Sequence, residues 1–107
     1  VLSALSWISF PASGAYCAAK SAEWSLTNAT RQQLAPQGTL VTALHVGYMD
    51  TDLVRHITAP KSDPALVAKL ALDGLEGGQL EVLADEVSRG IEAKLSGGVP
   101  ALYPQLA

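Results

Sequence analysis

With 107 residues the chain has room for one domain. Apolar side chains make up 49% of it and charged ones only 16%, where about 25% is usual, so either large surfaces are hidden in an oligomer or the chain is one part of a larger protein. Seven basic against ten acidic residues leave a net charge of −3, which excludes the basic footprint of a nucleic-acid binder or of a protein held on an anionic membrane.

Val1 to Ile8 is an apolar run too short for a helix, and it reads as the end of a buried strand. Ser9 to Gly14 is loop chemistry, crowded with Ser, Pro and Gly. From Ala15 to about Ala35 there is neither Pro nor Gly, and Ala is abundant, which predicts a long helix stopped by Pro36-Gln37-Gly38. Its few charges, Lys20, Glu23 and Arg31, predict that more than one face is covered. Thr39 to Val46 is a second strand, and its near-continuous apolarity favours a parallel strand buried on both faces.

Gly47 ends that strand, Met49 to Ile57 reads as a short helix or turn, and Thr58 to Lys61 as a loop. Ser62-Asp63-Pro64 is a strong helix start, a capping side chain followed by proline, and that helix runs to Gly77-Gly78. Gln79 to Ala84 is a third strand, Asp85 to Leu95 a third helix, and an irregular tail begins at Gly97. Strands alternating with helices imply right-handed crossovers and a parallel sheet covered on both faces. The fold class expected is α/β, a partial doubly wound sheet of about three strands. Three strands are too few to complete one.

The same chain excludes other classes. No apolar run approaches the ~20 residues of a membrane span. A lone cysteine, Cys17, rules out an internal disulfide framework and a cysteine-rich zinc site, and with two histidines besides no metal centre is expected. A start inside an apolar run, with neither Met nor a basic n-region, predicts a processed or truncated chain without a signal peptide, and a cytoplasmic location. The sequon at Asn28 falls within the long helix and reads as chance.

The informative residues sit at the carboxyl ends of the first two strands, where open α/β sheets bind ligands. Ser3 stands near the end of the first. Tyr16 follows it by thirteen positions, and Lys20 follows Tyr16 by four, one turn along the same helix face. The second strand ends at Val46-Gly47-Tyr48-Met49-Asp50-Thr51. A free phenol, with a pKa near 10, is a poor acid or base at neutral pH; a neighbouring ammonium favours its ionised form. A serine hydroxyl aimed at the same point can hold a carbonyl oxygen. Together they are the minimum for protonating a carbonyl while a hydride arrives from elsewhere.

Ser3, the run Tyr16-Cys17-Ala18-Ala19-Lys20 and the segment Gly47 to Thr51 resemble the C-terminal half of a short-chain dehydrogenase/reductase, from Val1 to about Leu95. A Tyr-x-x-x-Lys pattern is common on any helix; the serine thirteen positions before it and the Gly-x-x-x-Thr after the next strand make it specific. The resemblance implies a Rossmann-like domain and NAD(P)-dependent alcohol–carbonyl interconversion. Tyr16 would be the acid/base, Lys20 would lower its pKa and hold the nicotinamide ribose, and Ser3 would orient the substrate oxygen. Thr51 and the backbone around Val46 and Gly47 would contact the nicotinamide end of NAD or NADP.

The chain departs from the family in having Val46 where proline is usual. The glycine-rich phosphate loop, the residue that selects NAD or NADP and the relay asparagine belong to the family's N-terminal half, and none stands here. The pairs Gly77-Gly78 and Gly97-Gly98 do not follow a strand and open a helix, so neither is a dinucleotide fingerprint.

Each residue also has a plainer reading. Ser3 can be a buried serine bonded to backbone, Tyr16 a packing residue and Thr51 a helix cap. His45 reads as a satisfied core or loop histidine, Cys17 as a small packing residue, and His56, Asp50 and Asp52 as solvated. Trp7 and Trp24 read as packing or interface residues, with Trp7 an alternative pocket wall.

The leading expectation is an oxidoreductase acting on a small alcohol or carbonyl, present as a half-domain inactive by itself and forming a homo-oligomer through the helix around Ala15–Ala35. The alternative is a non-catalytic remnant that acts as an interaction module. A phosphate- or nucleotide-binding module is disfavoured by the missing glycine loop.

Overall fold

The computed structural model describes residues 1–47 and 61–106. The element expected over Met49–Ile57 and the residues Tyr48, Asp50, Thr51, Asp52 and His56 lie outside them.

Two short strands pair in parallel, β1 (Ala43–His45) and β2 (Glu81–Leu83), with Ala43 opposite Glu81 and His45 opposite Leu83. The segment before them extends this pairing. Leu2 N–H donates to Leu44 O at 2.7 Å and Ala4 N–H to Val46 O at 3.1 Å, so residues 1–4 run alongside β1 in the same direction. The first strand is therefore shorter than Val1–Ile8. Ser3 ends it: its hydroxyl accepts the Leu5 N–H at 3.0 Å, and the Ser6 hydroxyl accepts the Ser3 N–H at 3.4 Å. That reciprocal cap starts a 3-10 turn over Ala4–Ser6.

β1 is also shorter than Thr39–Val46. The Val41 carbonyl is taken by Arg31 Nε at 3.2 Å, and the Thr42 hydroxyl donates to Gln79 O at 2.8 Å, so side chains replace the ladder there.

Helix α1 (Gly14–Leu34) follows a 3-10 turn at Pro11–Ser13 and gives way to another at Ala35–Gln37, closed by Gly38 in the left-handed conformation at φ 77°. Helix α2 (Pro64–Glu76) has Pro64 in its first turn and is capped by Asp63, which accepts the Ala65 N–H at 3.1 Å. Helix α3 (Glu86–Lys94) is capped by Asp85. The tail expected to be irregular carries a short helix, α4 (Gly98–Leu102), and a 3-10 turn at Pro104–Leu106.

Side chains alternate across the sheet. Leu44 and Val46 face α2 and form a core with Val67, Leu70 and Ala84. Ala43 and His45 face the other way, toward Trp7 and the Trp24 side of α1. Arg31 fixes that helix to the amino ends of the strands, donating to Val41 O and, through Nη2, to Leu80 O at 2.8 Å. The sheet thus has a helix on each face, an α/β layer order. Asn28 is engaged within α1, accepting from Arg31 Nη1 at 2.6 Å.

Candidate active site

Parallel pairing brings the carboxyl ends of residues 1–3 and of β1 to the same level: Ala4, next to Ser3, donates to Val46. Ser3 is buried, and its oxygen accepts the Leu5 N–H, which leaves its own proton to donate. Tyr16 lies in the first turn of α1 and is half exposed, at 52%, with its hydroxyl unbonded to any described residue. Lys20 lies one turn on, its Nζ 5.7 Å from the centre of the Tyr16 ring and 3.2 Å from Glu23 Oε2.

The helix is tied to the turn that Ser3 begins, since the Ser21 hydroxyl donates to Ser6 O at 2.8 Å. An open phenol with an ammonium beside it can deliver or accept a proton at a ligand oxygen. The same pair can hydrogen-bond a ribose.

Val46 and Gly47 stand where the sequence expects them, at the end of β1, but two of their polar groups are engaged inside the protein. The Val46 carbonyl accepts from Ala4, and the Gly47 N–H donates to Asp85 Oδ2 at 2.6 Å. Any contact this turn makes with a ligand uses other atoms. Thr51 lies outside the described residues.

The structure buries His45, Trp7 and Cys17, as the packing readings expect, but His45 is only half satisfied: its Nδ1 has no hydrogen-bond partner among the described residues. His45 is fully buried, its Nε2 against Glu81 Oε2 and its ring under Trp7, so it cannot meet a substrate. Trp7 is buried rather than a pocket wall. Cys17 is fully buried, 3.7 Å from the Ser13 hydroxyl.

Two residues escaped the sequence reading. Asp85 spans from α3 to Gly47, and Tyr103, in the tail, accepts the Ser9 N–H at 2.7 Å and so pins the loop after Ser3. Both contacts are long-range, and no local pattern signals them. Burial alone would push the Asp85 carboxyl up; the Ser88 side chain beside it, the N–H groups of Gly47 and Ser88 and the Arg89 cation outweigh that and hold it below the usual carboxylate range.

Among the described residues no group of three or more His, Cys, Asp or Glu is placed to hold a metal ion, and no helix is long and apolar enough to cross a membrane.

A family model described as short chain dehydrogenase matches residues 1–62. A crystal structure of a short chain dehydrogenase from Burkholderia cenocepacia, in complex with NADP, superposes with a TM-score of 0.88 at 30% sequence identity. The match covers 98% of this chain and 46% of that one, so the chain spans about half the length of that protein. No curated protein matches the chain.

Proposed function

The chain belongs to the short-chain dehydrogenase family, and from that premise we propose that it is the C-terminal half of an NAD(P)-dependent oxidoreductase that interconverts a small alcohol and its carbonyl compound. The observation that carries this reading is the open Tyr16 phenol with Lys20 Nζ 5.7 Å from its ring centre, on a helix bonded to the turn that Ser3 begins.

In the reducing direction Tyr16 gives its hydroxyl proton to the substrate oxygen, while the Ser3 hydroxyl donates a hydrogen bond to that oxygen and holds it in place. The Lys20 ammonium stands beside the phenol as it becomes charged, and with Tyr16 it holds the ribose. The hydride is supplied by the dinucleotide when bound. The Burkholderia protein was crystallised with NADP, which supports a dinucleotide of this kind for the complete protein.

The domain is complete only with a preceding segment. Val1 and Leu44 line an apolar groove with Val67, Ala68, Ala71 and Leu72 of α2, and the backbone edge of residues 1–3 that faces away from β1 would take a further strand. By itself the 107-residue chain associates or aggregates, with negligible NAD(P)H oxidation, because the glycine-rich turn that cradles a pyrophosphate is not among its residues.

A homo-oligomer forms through α1, in which Leu26 is 66% exposed and Cys17 is the buried residue. That same face supports the second reading, a non-catalytic interaction module. The location proposed is cytoplasmic.

The test is hydride transfer itself. The protein carrying these residues at full length, given NADH or NADPH and a panel of ketones and aldehydes, should oxidise the dinucleotide in a substrate-dependent way. Absence of oxidation with every substrate and both dinucleotides, together with retained self-association, would favour the interaction module.

A further inference from the structure

Gly47 and Asp85 stand 38 residues apart and meet in a hydrogen bond of 2.6 Å, from the Gly47 N–H to Asp85 Oδ2. The other carboxylate oxygen, Oδ1, accepts the Ser88 N–H at 2.9 Å and so caps α3. One side chain thus joins the turn at the carboxyl end of β1 to the start of a helix. A cap needs one oxygen, and serine or threonine supplies it as well as aspartate. The second oxygen is surplus to capping, and it is the one that reaches Gly47.

The approach is close, and a side chain at position 47 would crowd it. A Cβ at Gly47 would stand 3.1 Å from Asp85 Oδ2 and 3.9 Å from the Val87 Cβ. An ionised carboxylate accepting two N–H donors makes a stronger and more directional tie than a neutral acceptor. With Val46 locked into the core and bonded to Ala4, this tie fixes the last described residue before the segment that leads to Thr51.

We propose that Asp85 is a positioning residue of the active site: it holds the backbone turn at Gly47 in the place where the nicotinamide end of the dinucleotide is received. The proposal rests on the reading of Tyr16 and Lys20 as a dehydrogenase site. Asp85 touches neither substrate nor dinucleotide, and it acts through Gly47.

The test compares Asp85→Ser with the unaltered protein at full length, using hydrogen exchange at the Gly47 amide and titration with NADPH and NADH. Serine still caps the Ser88 N–H and is too short to reach Gly47 as well. Exchange at Gly47 should rise roughly tenfold or more as its bond is lost, and the dinucleotide Kd should rise about tenfold. Turnover at saturating dinucleotide should change less than affinity, a split that loss of a helix cap would not produce. Should Asp85→Ser fold poorly, Asp85→Asn answers the same question, since its amide keeps one acceptor oxygen and puts an NH2 donor where the second stood.

Unchanged exchange at Gly47 overturns the tie. Faster exchange with unchanged Kd overturns the positioning role. An unaltered protein that binds neither dinucleotide overturns the site reading and the positioning role with it, and the Gly47 exchange tells that failure apart from failure of the tie.

Discussion

Trp7 lies flat against His45, with ring centroids 3.9 Å apart and planes inclined by 20°. Trp24 of α1 meets Trp7 edge-on at 5.8 Å, and its Nε1–H donates to Glu81 Oε1 at 3.2 Å. The other oxygen of Glu81 accepts from His45 Nε2. Four side chains, from the turn after Ser3, from α1, from β1 and from β2, therefore close on one another. This cluster holds the turn that begins at Ser3 against the helix that carries Tyr16.

Removing either end of the cluster should destabilise the fold. Trp7→Ala empties a buried site and is expected to cost about 3–5 kcal/mol. Glu81→Ala leaves the His45 and Trp24 N–H groups without their acceptor, at about 1–3 kcal/mol. Urea unfolding of each variant measures both; a Glu81→Ala midpoint equal to that of the unaltered protein would show the carboxylate to be idle.

Gly74 lets α2 sit against β2. A Cβ there would stand 2.2 Å from Val82 Cγ2, so Gly74→Ala should cost about 1–3 kcal/mol through overpacking. Adding Val82→Ala makes room for that methyl, and the two changes should couple by about 0.5–3 kcal/mol in a double-mutant cycle. Strictly additive costs would contradict the contact.

How much of this was legible in the sequence depends on how far apart the partners are. The Tyr16–Lys20 spacing is a helical period, and the Asp63-Pro64 start and the Gly38 stop are local signals, so α1 and α2 match to within a residue or two, whereas α4 forms in a tail that reads as irregular. Strand lengths do not match, because side chains end the strands. Ser3 caps the first, and Arg31, reaching over from α1, takes a carbonyl from the second. Asp85 reads in sequence only as a helix start, and its bond to Gly47 spans 38 residues that no window contains. The same holds for Glu81, an unremarked strand residue that turns out to accept from both His45 and Trp24.

The carboxyl of Asp85 is held below its usual range in the folded chain, so its contribution to stability is fully present above about pH 4 and is lost as pH falls through the folded-state value. The stability difference between the unaltered protein and Asp85→Asn should therefore be constant near neutrality and shrink in acid. Denaturation at a series of pH values checks it. A difference that widens toward acid would reverse the sign and contradict the assignment.

Leu26 projects from α1 at 66% exposure on a helix with few charges. Leu26→Glu should shift the full-length protein toward smaller species in sedimentation, with helix content retained. A monomeric unaltered protein, or an assembly indifferent to the substitution, would place the interface elsewhere.

Tyr16 tests the account most directly. In the full-length protein Tyr16→Phe removes the hydroxyl and keeps the ring beside Lys20, so turnover of alcohol or carbonyl substrate should fall by about 10²–10⁴-fold while dinucleotide still binds. Turnover equal to that of the unaltered protein would contradict the assignment of Tyr16 as the acid/base.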